Sequence, residues 1–325
     1  MRKKKPLLCA ALFLACALMC TAGLAEVPAE YAASRLQRQV YMPDGSGPFQ
    51  YYAQNDPVWQ RTIYEPMESD TQRVFGDGGC NPTSLAMVVA SLVPVERLNL
   101  LGLIAARGRT FTLCSCSVNK YFCFQHRKDP DHVQSTLITG QDFLKVLPLA
   151  LADYATGNNP TYDRYRLPGT RSGGNGGTSK NLFEPIAALF ALDYQLTQEF
   201  DQVLSTLNRG GMAIALCSGN TQIFSGSNGH YVVLCAYDDE YLYIMDPFVR
   251  DGYKKDRQKI IEPVEDGVKK VKLENLSRCG FGNYALFVPA PTPYYAGIQP
   301  LVNPYTTDSA EAFASAPHGQ ANWSN

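Results

Sequence analysis

Apolar positions along the chain fall into helical and strand-like blocks that divide it into two halves. Leu85, Val88, Val89 and Leu92 recur at helical spacing after Cys80, Pro82 suits the first turn of that helix, and Pro94 ends the pattern. A second helix is expected through Phe200, Val203, Leu204 and Leu207, terminated by Gly210-Gly211. Ser179 is placed to cap a helix running through Leu192. Leu98 to Ala106 and Phe143 to Ala155 also read as helices, the latter kinked or broken at Pro148. Strands are expected at Met212 to Cys217, Gly229 to Leu234, Tyr241 to Pro247 and Tyr284 to Val288. The middle two are joined by Asp238, Asp239 and Glu240, read as a three-residue loop in which Tyr237 faces Tyr241. Residues 26–47 read as a polar approach segment and residues near 250–270 as a charged excursion. From 291 to 325 Pro, Ala, Asn, Ser and Thr dominate, which predicts a loosely structured tail. No internal repeat is visible.

Residues 1–25 carry Arg2 to Lys5, an apolar run from Leu7 to Met19 and small residues up to Ala25, the pattern of a cleaved export signal. The alternative is a lipidated cysteine at Cys16 or Cys20, although Ala-Leu-Met before Cys20 is a poor lipobox. No later stretch reaches the roughly 18 consecutive apolar residues that a membrane helix needs. Removing the four basic residues of the signal takes the formal net charge from −1 to about −5, which argues against an electrostatic grip on nucleic acid. Three of the ten cysteines leave with the signal. If Cys80 stays free, Cys114, Cys116, Cys123, Cys217, Cys235 and Cys279 remain for disulfides or buried thiols, and the sequence does not choose between them.

The chemistry concentrates where the two halves must meet. Gly78-Gly79 on one side and Pro82 on the other put Cys80 at a turn-to-helix corner, where the helix N-terminus favours a thiolate. A nucleophilic thiol needs a base and a group that orients the base. His230 opens one expected strand and Asp246 closes the next. With the three-residue loop, Asp246 falls opposite Val232, on the same face as His230; a two-residue loop would put it on the other face. An oxyanion also needs donors: the Cys80 amide is one, and Gln54, in an aromatic setting, is preferred over Gln72 in a charged loop. Gly-rich residues 169–178 lack the Gly-Lys-Ser/Thr ending of a phosphate cradle and read instead as a mobile loop beside the cleft. Cys114, Cys116, Cys123 and His126, with His132 nearby, have an irregular spacing for zinc, and thiols or disulfides are preferred there. No metal or cofactor is expected.

Gln54-Asn55-Asp56-Pro57-Val58-Trp59, Gly79-Cys80-Asn81-Pro82-Thr83-Ser84-Leu85-Ala86-Met87 and Gly229-His230-Tyr231-Val232-Val233-Leu234, continued by Asp246-Pro247, resemble the papain-like cysteine peptidases of the bacteriocin-processing (double-glycine leader peptidase) family. The likeness is to that family's secreted stand-alone members, which lack the transporter. It implies an α+β fold over residues 48–290, with a helical lobe carrying Cys80 against an antiparallel sheet carrying His230 and Asp246, and a long insertion at about 95–178. It also implies Cys80 as nucleophile, His230 as base, Asp246 as its orienter and Gln54 as oxyanion donor. Asn81 departs from the family, which usually has Gly there. The expected function is an exported cysteine peptidase acting on peptides or a cell-surface protein. The rivals are another acyl transferase or amidase with the same triad, and an idle peptide-binding module on the same fold.

Overall fold

The computed structural model describes residues 36–61, 64, 74–98, 112–113, 134–135, 144–155, 177–217, 224, 229–249 and 260–290. Its centre is a seven-stranded antiparallel sheet. In spatial order the strands are β5 (Leu192–Thr197), β11 (Phe281–Pro289), β6 (Met212–Cys217), β7 (His230–Tyr237), β8 (Tyr241–Met245), β10 (Val268–Lys272) and β9 (Ile261–Glu265). Alternation along these strands sorts apolar side chains onto two faces. On one face Ile214, Val233, Tyr243, Met245 and Phe287 pack with the helix α2 (Cys80–Leu92). On the other, Ala215, Val232, Leu234, Ile244 and Leu286 pack with Val203 of the helix α5 (Phe200–Asn208).

Helix α2 is the buried pillar of the first half. Its residues from Asn81 to Val89 are all buried, so the expected single apolar face becomes a helix enclosed on every side. It packs on β7, on the hairpin strand β2 (Phe49–Tyr52) and on the helix α3 (Leu147–Ala155). A core position such as Leu85 is fully enclosed, where truncation to Ala costs about 2–5 kcal/mol. A short helix α1 (Phe75–Gly78) precedes α2 and is joined to it by Gly79, where a Cβ would run into the Phe75 ring and carbonyl.

Several sequence expectations change in detail. The expected break near Pro148 is present: Leu144 is helical, Lys145 and Val146 form a turn, and α3 starts afresh with Pro148 at its second position, where the missing N–H costs nothing. The Ser179 hydroxyl accepts from the Asn181 amide at 3.2 Å, but it caps a single 3-10 turn, Lys180–Leu182, that leads into α4 (Phe183–Leu189). The chain then reverses at Ala191, whose φ of 48° is left-handed, and Leu192 begins β5, a strand the sequence reading missed. The charged excursion holds two further strands, β9 and β10. Within the polar approach segment lies β1 (Gln37–Val40), paired with β2. A two-stranded pairing, β3 (Thr112–Leu113) with β4 (Gln134–Ser135), lies in the long middle segment.

The Cys217, Cys235 and Cys279 side chains are buried thiols, not disulfides. The expected signal, the helix from Leu98 to Ala106 beyond its first residue, Cys114, Cys116, Cys123, His126 and His132, Gln72, most of the Gly-rich loop and the tail lie outside the described residues. Among the described residues no helix is long and apolar enough to cross a membrane.

Gly267, in the turn between β9 and β10, has φ 77°, and a Cβ there would overlap the Tyr51 ring and hydroxyl. Left-handed backbone and overpacking act together, so Gly267→Ala is expected to lower stability by about 2–4 kcal/mol in urea unfolding. Gly282→Ala, with open space around its Cβ, is the control and should shift the midpoint little.

Candidate active site

The β7–β8 register decides where Asp246 lies. The hairpin closes through a two-residue loop, Asp239-Glu240: the Asp238 amide donates to the Tyr241 carbonyl at 2.9 Å, and Tyr237 pairs with Leu242, not Tyr241. The Asp238 carboxylate fixes this turn by accepting from the Glu240 and Tyr241 amides and, at 2.6 Å, from the Tyr243 hydroxyl. Carried straight along the ladder, such a loop would put Asp246 and His230 on opposite faces. It is not carried straight. Ala236 pairs with Tyr243 but Leu234 pairs with Ile244, so Cys235 is an extra residue on β7, a β-bulge that shifts the register by one. Beyond it Val233 faces Met245, and continuing that register sets Asp246 across from Val232, on the face of His230. The expected loop is therefore corrected, while the expected juxtaposition stands.

That juxtaposition is a hydrogen bond. Nε2 of His230 lies 2.7 Å from Oδ1 of Asp246, with both side chains buried. The same Oδ1 accepts from the Phe248 amide at 2.9 Å, the Asp246 amide donates to the Gly267 carbonyl at 2.7 Å, and the Tyr51 hydroxyl donates to the Asp246 carbonyl at 2.8 Å. The carboxylate is thus held from its backbone and from its side chain. Because Nε2 is engaged, Nδ1 is the ring nitrogen left for the Cys80 thiol, which hydrogen-bonds the same imidazole.

The thiol and the imidazole shift each other. Burial alone would lower the His230 pKa, but the adjoining Asp246 carboxylate and Cys80 raise it to about 9. Burial alone would raise the Cys80 pKa. The hydrogen bond and charge of His230, with the backbone amides of Tyr231 and Asn81, outweigh that and hold it below the ordinary thiol value. By contrast, burial pushes the Cys235 and Cys279 thiols up, Cys279 to about 12. Only Cys80 has a depressed pKa among the cysteines for which a shift is resolved, and it is half-buried where the other three described cysteines are buried.

Gln54 sits in the loop after β2, 3% exposed. Its amide Nε2 donates to the Gly76 carbonyl at 2.6 Å, and its backbone amide donates to the Pro247 carbonyl at 2.6 Å. It therefore bridges the segment that leads into Cys80 and the residue that follows Asp246. One N–H of its side-chain amide remains beyond the bond to Gly76. The loop around it is stiff: Trp59 Nε1 donates to the Ala53 carbonyl at 2.9 Å, and Asp56 accepts from the Val58 amide.

Asn81 and Tyr231 were not anticipated as neighbours of the thiol. The Asn81 side chain is fully buried and donates to the carbonyls of Thr178 at 3.2 Å and Ser179 at 3.3 Å, tying the end of the Gly-rich loop to α2. Thr178 is held from its other side by the Tyr64 hydroxyl at 2.7 Å. The Tyr231 hydroxyl also meets Asn81, and its ring packs edge-on against Phe183. No sequence signal links Asn81 to Thr178, because the contact spans 97 positions. Among the described residues, no group of three or more His, Cys, Asp and Glu side chains is placed to hold a metal ion.

The model of the Peptidase_C39 like family matches residues 48–268, well over half of the chain, and takes in Gln54, Cys80, His230 and Asp246. A crystal structure from Bacillus anthracis, of a protein described as C39-like peptidase, is similar at 15% identity over 71% of this chain and 96% of that one, with a TM-score of 0.32. No match was found among curated proteins. The helix-borne thiol and the antiparallel sheet that carries the imidazole and carboxylate are the C39-like peptidase fold, of α+β class, and the chain belongs to the Peptidase_C39 like family.

Proposed function

We propose that the protein is a cysteine peptidase in which Cys80 is the nucleophile, His230 the proton carrier, Asp246 its orienter and Gln54 the oxyanion donor. The observation that carries this reading is the buried relay from Asp246 Oδ1 through His230, whose far side meets the thiol of Cys80. In the resting pair the thiolate faces an imidazolium. The sulfur attacks the scissile carbonyl carbon, and the carbonyl electrons move onto oxygen. That oxyanion is received by the Cys80 amide and the second N–H of Gln54. Collapse of the tetrahedral intermediate breaks the C–N bond, His230 gives its proton to the leaving amine, and a thioester remains on Cys80. The now neutral imidazole takes a proton from water, the resulting hydroxide attacks the thioester, and the acid product departs as the thiolate–imidazolium pair reforms. Asp246 stays ionised and keeps the ring aimed throughout. Residues 1–25 read as an export signal, so the substrate is a peptide or cell-surface protein met outside the cell.

Cys80→Ala is expected to abolish both peptide turnover and labelling by an electrophilic peptide probe; label that persists or moves to Cys279 would overturn the assignment. Gln54→Ala should lower kcat roughly a hundredfold or more with little change in ground-state binding, as expected for a donor used only in the transition state. Unchanged kcat would place the donor elsewhere.

The pH dependence follows from the pair. As pH falls, the thiolate gains a proton, but only below the ordinary thiol range, because Cys80 is shifted down. As pH rises through about 9, the imidazolium loses the proton that the leaving amine needs. The profile of kcat/KM should therefore be bell-shaped, with its alkaline limb near pH 9. A rate that keeps climbing past that point would contradict the acid role of His230.

A further inference from the structure

The loop that carries Gln54 and the loop that follows Asp246 are stitched together residue by residue. The Tyr51 hydroxyl donates to the Asp246 carbonyl at 2.8 Å, and the Gln54 amide donates to the Pro247 carbonyl at 2.6 Å. Asn55 then closes the seam with a reciprocal pair: its Nδ2 donates to the Val249 carbonyl at 2.8 Å, and its Oδ1 accepts from the Val249 amide at 3.0 Å. The two loops are 194 positions apart in sequence, and among the described residues no strand pairing joins them. Of these contacts, the Asn55 pair is the one made twice by a single side chain, and it lies at Val249, four residues beyond the end of β8.

We propose that Asn55 is a positioning residue that locks the Gln54 loop to the Asp246 loop, so that oxyanion donor and imidazole orienter move as one body. The proposal rests on the triad and oxyanion roles given above. Asn55 touches neither the thiol nor the imidazole in any contact the structure shows, and acts through its neighbours. One side of the seam sets the amide of Gln54 against Gly76, four residues before the thiol. The other sets the Phe248 amide that the Asp246 carboxylate accepts, one residue before Val249. Losing the Asn55 pair leaves the seam on the Tyr51 and Gln54 bonds alone, and displacement of a reacting geometry by about 1 Å can cost up to about a hundredfold in rate.

Two small probes separate the arms without a known peptide substrate. Iodoacetamide alkylation of Cys80 at about pH 6 reads the thiolate that His230 and Asp246 maintain, and involves no oxyanion. Hydrolysis of p-nitrophenyl acetate passes through an oxyanion and reads Gln54 as well. Asn55→Ala is expected to slow alkylation several-fold and ester turnover by about tenfold. In a Gln54→Ala background, the effect on the ester should shrink to the effect on alkylation, because the donor through which Asn55 acts is gone. Asn55→Asp keeps the side-chain volume and the acceptor for the Val249 amide while losing the donor to its carbonyl. It should fall between parent and Asn55→Ala, and it is read in the same way if the Ala variant does not fold. A folded variant, with parental near-ultraviolet circular dichroism, whose two rates stay within about twofold of the parent overturns the proposal. So does an ester effect undiminished in the Gln54→Ala background. Failure of the underlying peptidase reading looks different: the Cys80→Ala protein would retain the parental ester turnover, whatever Asn55 does.

Discussion

The carboxylate of Asp246 reaches His230 only because β7 and β8 pair in a register that puts both on one face of the sheet. Side chains on a strand alternate, so a slip of one residue would turn Asp246 away from the imidazole altogether. The register is set by two opposing features. The tight Asp239-Glu240 turn, pinned by the Asp238 carboxylate, imposes one alignment, and the extra residue at Cys235 converts it to the other. Bulges cost ladder hydrogen bonds, and their use beside a site to re-aim a side chain is a recognised role. Here the bulged residue is compensated by burial and by a contact from its own thiol to the Tyr243 carbonyl at 3.4 Å.

Once the imidazole and carboxylate are aligned, the rest of the site is a matter of bringing α2 to them. The helix is buried from Asn81 to Val89, so its N-terminus cannot shift without opening the core. Ser84, one turn into the helix, donates to the Tyr231 carbonyl at 3.3 Å, a direct tie to the residue after His230. The thiol is thereby presented to the imidazole by two rigid elements instead of by a loop. The remaining polar contacts, Tyr51 to Asp246 and Gln54 to both Gly76 and Pro247, join the first hairpin to both halves of the site.

Much of this was legible in the sequence, and the failures have physical causes. Helix α2, helix α5 and strands β6, β7 and β8 announced themselves through periodicity bounded by Pro and Gly. Strand β5 alternates Leu192, Tyr194 and Leu196 with Asp193, Gln195 and Thr197, but an expected helix running through Leu192 obscures its start. Strands β9 and β10 were hidden by Glu and Lys side chains that pair across the sheet surface, such as Lys270 with Glu262 at 3.2 Å. At the site, Cys80, His230 and Asp246, which the fold brings together, each lie in a distinctive local setting. The Cys235 bulge could not be foreseen, since a bulge depends on which residues face each other and leaves no mark in composition. Asn55, Asn81 and Tyr231 escaped for a related reason: their partners are distant in sequence, and such contacts leave no local signature.

The central claim is that Cys80 and His230 rest as a thiolate–imidazolium pair maintained by Asp246. The most direct measurement is the ultraviolet difference absorbance of the thiolate, titrated against pH with Cys80→Ala as the blank. A thiolate is expected below the ordinary cysteine pKa of about 8.5, and it should be lost from this range in His230→Ala. A Cys80 thiolate that appears only near that ordinary value, and appears there equally with and without His230, would contradict it.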